Sequence, residues 1–308
     1  TAVGKSTLAV RLAKKLNGEV ISADSRQVYR GLNIGTGKIT KKEMAGVPHH
    51  LLDVTDPKKQ FSAADFVRLG RRKIEDILRR GKTPIICGGT GFYIAALLGE
   101  ISLSPVPPNL KLRQKLAKKS TRELFEMLKK LEAAPAAAKA LVGKRAAKID
   151  RQNPRRLIRA IEIGKSSSVE IRYQHQMLIS DFNNLKIMKI GLTLPPEKLK
   201  EKIRMRLMAR IRKGMIAEAK KLHQQGLSWK RMEELGLEYR YLSRFLRGKI
   251  SKKEMIEKLA TEIWRYAKRQ MTWFKRPPTN RRRAGDKKIR WFSPNNISKI
   301  KSLIQSLK

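Results

Sequence analysis

TAVGKST, Thr1 to Thr7, holds Gly4, Lys5 and Ser6 in the order that closes the phosphate-binding pattern G-x-x-x-x-G-K-[ST]. The pattern's leading glycine would fall before Thr1. In such a loop, backbone N–H groups and the start of a helix converge on phosphate oxygens. The lysine reaches the terminal phosphates and the serine hydroxyl ligates Mg²⁺. Thr1, Ala2, Val3, Gly4, Lys5, Ser6 and Thr7 are therefore the expected phosphate-binding residues, with Ser6 as the metal ligand. A glycine–lysine pair can also be a plain turn, so the reading of this segment depends on the residues C-terminal to it.

Those residues carry a sheet pattern. Thr7 to Leu16 reads as a helix with Leu8, Val10, Leu12 and Leu16 on its apolar side. GEVISAD is a short buried strand ending at Asp24. SAADFVRLGRRKIEDILRRG is an amphipathic helix, with Ser62 as cap, Asp65 at the capping-box position and Gly81 as stop. TPIICGGTG is a second buried strand running into a glycine turn, followed by a helix from about Phe92 to Leu98. Strands alternating with helices predict an α/β fold, a P-loop NTPase-like parallel sheet with crossover helices. That architecture also expects a strand before the loop, so the sequence reads as starting inside the motif.

SLSPVPPN interrupts the pattern and marks a boundary. From Leu110 to about Lys148 the chain is helical and rich in Ala, Lys and Leu. DRQNPRRLIRAIEIGK starts another helix, with Asn153 as cap and Pro154 in the first position. Ser166–Ser168 is a loop. LKIMKIGLTL returns as a strand, and PPEKLKEKIRMRL opens a long helical stretch. SKKEMIEKLATEIWRYAKRQMTWFKR is a long helix with a Ser251–Glu254 capping box, and KKIRWF is the last strand. The expected organisation is a core of residues 1–104 and 186–308 and a mainly helical insertion at 105–185.

The 71 Lys plus Arg residues against 26 Asp plus Glu leave a formal charge of +45, the balance of a polyanion-binding protein. Solvated basic helix faces are the alternative source of that charge. The single cysteine, Cys87, excludes an internal disulfide and a thiolate zinc cluster, and its apolar run makes it a small hydrophobe. The four histidines lack metal-ligand spacing. No apolar run approaches the ~18 residues of a membrane span and no signal peptide is visible, so a cytoplasmic protein without membrane contact is the expectation.

Two strand ends carry the candidate chemistry. A carboxylate at the C-terminal end of a parallel strand lies at the ligand edge of an open sheet, which places Asp24 there, as a magnesium ligand through water or as a base. Its architectural alternative is a turn cap beside Ser25. Gly88 and Gly89 allow close backbone approach, and Thr90 offers a hydroxyl at the same edge or an N-cap for the next helix.

These segments resemble one family. TAVGKST, ISADSRQVYRGLNIGTGK, PHHLLDV, FSAADF, CGGTGFY, NPRRLIRAIEI and AKRQMTWFKR occur in the order seen in tRNA dimethylallyltransferases, over nearly the whole chain. The resemblance implies transfer of a dimethylallyl group from its diphosphate to the exocyclic N6 of the adenosine 3′ of the anticodon, with Mg²⁺ as cofactor. It also implies a monomer whose inserted helices bind tRNA. The loop would then hold an allylic diphosphate as leaving group, with Lys5, Asp24 as general base and Thr90 as catalytic residues. Asp24, Ser25, Arg26, Gln27 and Thr90 match the stretch that meets the target nucleotide. Arg113, then Arg155, Arg156, Leu157, Ile158 and Arg159, and with them Arg240, match tRNA-contacting segments. So do Lys268, Arg269, Gln270, Trp273 and Lys275, although Trp273 taken singly reads as core. Three other readings stay open on the residues alone: a P-loop kinase acting on a nucleotide, an adenylate isopentenyltransferase with a free nucleotide acceptor, and a non-catalytic RNA-binding protein.

Overall fold

The helix opened by TAVGKST, α1 (Lys5–Lys15), packs on the sheet, against the strand that comes directly after it. That strand, β1 (Gly18–Ala23), is buried along its whole length, as a central parallel strand covered on both faces must be. The computed structural model describes residues 2–101, 103–104, 106–132, 149–166, 185–275, 289–294, 296, 300 and 302. After the short helix α2 (Lys41–Met44) come strand β2 (His49–His50), helix α3 (Ala63–Arg79), strand β3 (Thr83–Gly88) and helix α4 (Gly91–Leu97). The strands lie in the order β2–β1–β3, all parallel. The α/β class expected from the alternation is the one found.

Local signals set the boundaries. Ser62 and Asp65 form the reciprocal capping box at the start of α3. Gly81 closes its far end in the left-handed region, at φ +66°. Helix α1 begins at Lys5 rather than Thr7, which puts Lys5 and Ser6 inside its first turn. Ala9, Val10 and Ala13 of α1 pack with Val20 and Val47, and Phe66 of α3 stacks on Tyr93 of α4 at 4.4 Å. The register aligns Ala23 with Gly88, so β1 and β3 end together. A Cβ at Gly88 would stand 2.1 Å from the Ala23 carbonyl oxygen, and only glycine fits there.

The chain divides into two compact units, Thr1–Ile101 with Phe182–Lys308, and Ser102–Asp181. The second contains α5 (Leu110–Leu116), α6 (Thr121–Glu132) and α7 (Pro154–Gly164). The single helical run expected from Leu110 is broken at Ser120, which exchanges bonds with Glu123 and restarts the helix. Positions 133–148 and the loop at Ser167 and Ser168 lie outside the described residues. Asn153 caps α7 through the Arg156 N–H, with Pro154 in the first turn. Leu116, Leu124, Leu128, Leu157, Ala160 and Ile161 form the core of this unit.

The first unit resumes with strand β4 (Ile190–Leu192). Five helices come next: α8 (Pro196–Arg212), α9 (Met215–Gln224), α10 (Trp229–Glu234), α11 (Leu237–Leu246) and α12 (Lys252–Lys275). Strand β5 (Arg290–Phe292) then pairs in parallel with β4. Met255, Leu259, Ile263 and Ala267 of α12 recur every four residues, one helical stripe that is buried in a core shared with Leu8, Val28 and Leu32. Among the described residues no helix is long and apolar enough to cross a membrane.

Candidate active site at the strand edge

Gly4 sits at φ +80° as the N-cap of α1, a conformation that glycine adopts at no steric cost. Ala2 is also in the left-handed region, at φ +56°, where an alanine is strained. The first intrahelical bond runs from the Leu8 N–H to the Gly4 carbonyl, so the N–H groups of Lys5, Ser6 and Thr7 belong to the open first turn. That turn contains no acidic side chain. Ser6 and Thr7 are exposed and Lys5 is half-buried, whereas Ala2 and Val3 are buried in the core and contribute backbone only. Thr1 lies outside the described residues.

Asp24 stands directly after the last residue of β1. Its Oδ1 accepts the Arg26 N–H at 2.8 Å and the Gln27 N–H at 3.4 Å. Among the described residues no hydrogen bond reaches Oδ2. The turn-cap role and an available carboxylate oxygen therefore coexist in one residue. The Ser25 N–H donates to Thr90 Oγ1 at 3.1 Å, and the Thr90 N–H donates to the Ala23 carbonyl at 3.2 Å. Thr90 occupies the N-cap position of α4, yet its side chain makes no cap bond and bridges the two strand ends. Arg26 lies across Gly236, whose added Cβ would stand 2.9 Å from the Arg26 Nε. Beneath the edge, burial pushes the Cys87 thiol up to about 11, with Lys5 and Asp24 as opposing charges on it, so it stays protonated.

The turn after β3 is covered by α12. Gln270 Nε2 donates to the Gly89 carbonyl at 2.8 Å, and the Trp273 indole lies against Gly91. Gln270, matched by resemblance to an RNA contact, spends that amide on protein backbone. Trp273 is 37% exposed, so the single-residue reading of it as core is corrected; it meets Phe92 edge to face at 6.3 Å. Lys268, Arg269 and Lys275 are exposed on the same helix. Arg240 on α11 is half-buried and donates through Nε to the Glu233 carbonyl.

In the helical unit the expected RNA-contacting residues separate. Arg155 and Arg156 are exposed. Leu157 is fully buried in the core and Ile158 packs against that core, so Leu157 is withdrawn as a surface contact. Arg159 and Arg113 turn toward Glu162, which sequence reasoning missed. Arg113 donates to it through Nε and Nη2 at 2.8 and 2.7 Å, the Asn109 N–H donates at 2.6 Å, and Arg159 Nη1 completes the set. Arg159 Nη2 donates to the Val106 carbonyl at 2.7 Å. Burial alone would raise the Glu162 carboxyl, but the hydrogen bonds from Arg113 and Arg159 hold it below the usual carboxylate range. The one available signal was spacing, Arg159 and Glu162 at i, i+3.

Sequence reasoning also missed Glu218. Its carboxylate accepts the consecutive N–H groups of Asn33, Ile34 and Gly35 at 3.0, 2.7 and 2.9 Å, and the Tyr239 hydroxyl at 2.7 Å. Part of the block ISADSRQVYRGLNIGTGK is thus an anion-binding nest filled by the protein's own side chain.

The model of the family described as IPP transferase matches residues 27–277. The chain belongs to the IPP transferase family. Among curated relatives, "tRNA dimethylallyltransferase 2" of Treponema denticola is 43% identical, over 91% of this chain and 90% of its own length. Among solved structures, the full-length tRNA isopentenylpyrophosphate transferase of Bacillus halodurans is 36% identical with a TM-score of 0.69, covering 99% of this chain and 93% of that one. A eukaryotic dimethylallyltransferase acting on tRNA is 28% identical with a TM-score of 0.68, covering 97% and 73%. The likeness to the Bacillus halodurans structure, at 99% of this chain, takes in the strand edge and the helical unit alike.

Proposed function

We infer that the protein is a tRNA dimethylallyltransferase, moving a dimethylallyl group from its diphosphate to the N6 of the adenosine 3′ of the anticodon. The observation that carries this reading is Asp24, one oxygen fixed by two backbone N–H groups and the other open, on the edge that also presents the first turn of α1. In the reaction the C–O bond to the diphosphate breaks, the bond from the allylic carbon to N6 forms, and an N6 proton passes to Asp24. Pyrophosphate leaves. The adenine amine is a weak nucleophile because its lone pair is delocalised into the ring, so removal of its proton is worth roughly 10²–10⁴-fold.

Charge on the departing diphosphate is met by Lys5 and the open N–H groups of α1, which are fixed before the reaction begins. Ser6, exposed in the open first turn of α1, would be the protein ligand of a Mg²⁺ ion bound with the diphosphate. Among the described residues no cluster of three or more His, Cys, Asp or Glu is assembled to hold an ion without such help. When bound, Mg²⁺ supplies charge neutralisation to the diphosphate. The acceptor base must leave its stack to reach Asp24, and the exposed Lys268, Arg269 and Lys275 of the same unit suit RNA phosphates, as Arg155 and Arg156 do on the surface of the helical unit.

The test is incubation of the protein with dimethylallyl diphosphate, Mg²⁺ and unmodified tRNA, followed by nucleoside analysis. N6-isopentenyladenosine in the tRNA is the expected product. Phosphoryl transfer from ATP, or equal prenylation of free AMP, would replace this reading with the kinase or the free-nucleotide transferase.

A further inference from the structure

The side chain of Gln270 ties α12 to a turn that no sequence pattern joins to it. Its Nε2 donates to the Gly89 carbonyl at 2.8 Å, and Tyr266 precedes it by one helical turn. Tyr266 is half-buried and lies within the field of Asp24 and Arg26. Gly89 precedes Thr90, which accepts the Ser25 N–H and thereby fixes the residue after Asp24. The contact is close: a Cβ on Gly89 would fall 2.1 Å from Gln270 Nε2. Three residues on, Trp273 abuts Gly91 in the same manner. The 88–91 turn is therefore clamped on both sides of Thr90 by one face of α12. Lys268, Arg269 and Lys275 of the same helix are exposed to solvent.

We propose that Gln270 is a positioning residue: it fixes the Thr90 turn against α12, and through Thr90 and Ser25 it sets the placement of Asp24. The proposal rests on the transferase reading for its kinetic consequence, while its structural consequence is independent of any activity. A donated hydrogen bond to a backbone carbonyl holds a turn only while the side chain is a donor. Displacement of a reacting group by about 1 Å costs on the order of 10²-fold in rate. An RNA contact at this position would instead act on binding.

The experiment compares wild type with Gln270→Ala and Gln270→Glu in the full chain. Hydrogen exchange of the segments around Ser25–Gln27 and Gly88–Gly91 should accelerate in both variants, with the rest of the chain unchanged. Exchange equal to wild type overturns the proposal whether or not the protein turns over tRNA. In prenylation assays both variants should lose kcat, by roughly 10- to 100-fold, with Kd for tRNA within about twofold of wild type. A raised Kd with unchanged kcat makes Gln270 an RNA contact and overturns it too. Gln270→Glu keeps the volume and replaces the donor by an acceptor, so its kcat relative to wild type should recover as pH falls and the new carboxyl gains a proton. The Gln270→Ala ratio should stay flat. Full activity of Gln270→Glu at neutral pH would overturn the proposal by showing that packing, not donation, is what the turn needs. A wild type that leaves tRNA unprenylated strikes the transferase reading alone, because the exchange measurement still decides the clamp.

Discussion

Two carboxylates in this protein hold turns and helices in place, and they do so differently. Glu162, in the helical unit, has both oxygens occupied by Arg113, Arg159 and the Asn109 N–H. Asp24, on the sheet edge, has its two backbone partners on one oxygen. Glu218 and Glu19 resemble Glu162: the first takes three N–H groups and a tyrosine hydroxyl, the second Arg80, Lys82 and His50. A saturated carboxylate spends its charge on architecture. An anchored carboxylate with a spare oxygen can still receive a proton, and at the ligand edge of a parallel sheet that is the arrangement a general base requires.

The sharpest way to break this contrast is Asp24→Asn. The amide oxygen can still accept the Arg26 and Gln27 N–H groups, so the turn survives and only the basic oxygen is lost. Single-turnover prenylation should fall by roughly 10²–10⁴-fold, with tRNA affinity kept. Retained turnover would return Asp24 to a purely architectural role. Glu162→Ala should show the converse, a loss of about 3–5 kcal/mol in denaturant unfolding of the whole chain, because two guanidinium groups lose their buried partner. A cost below about 1 kcal/mol would mean that the cluster is dispensable.

Glu19 gives the contrast a pH axis. The Arg80 guanidinium above all, with Lys82 and His50, holds its carboxyl well below the usual range against the opposing effect of burial. A lowered folded-state pKa means that the unfolded chain binds the proton first. The stabilisation is fully present above the ordinary value of 4.5 and is lost as pH falls toward the folded value. Thermal midpoints should therefore decline on acidification in wild type, and Glu19→Gln should flatten that decline.

The smallest effects are expected at the exposed arginines. Arg155→Ala and Arg156→Ala should each weaken tRNA binding and lower the salt slope by about one per lost phosphate contact, without touching stability. Arg113→Ala should act on unfolding first, since its guanidinium belongs to Glu162. If all three behave alike, the division between surface arginines and carboxylate-bound ones is wrong.

Short spacing encodes the features that could be read from the sequence. The Ser62–Asp65 and Ser251–Glu254 boxes, the Asn153–Pro154 start and the strand that ends just before Asp24 each depend on residues within a few positions of one another. Partners far along the chain set the features that escaped. Glu218 meets Asn33 across 185 positions, Gln270 meets Gly89 across 181, and Arg113 meets Glu162 across 49. In NPRRLIRAIEI the i, i+3 spacing of Arg159 and Glu162 allows their pairing, but nothing there says that Glu162 is buried or that Arg155 faces water. Family resemblance supplied a single assignment for Arg155 and Arg159, and only packing separates them.

The missing side chain at Gly88 has a consequence for how such an edge can vary. With no room for even a methyl group beside the Ala23 carbonyl, the spacing between the ends of β1 and β3 is a fixed dimension of the backbone. Changes of acceptor or donor preference cannot arise by widening that seam. They have to come from the surfaces bordering it, the Arg26–Gln27 turn on one bank and the Phe92–Trp273 pair on the other, which can be altered while the seam keeps its width.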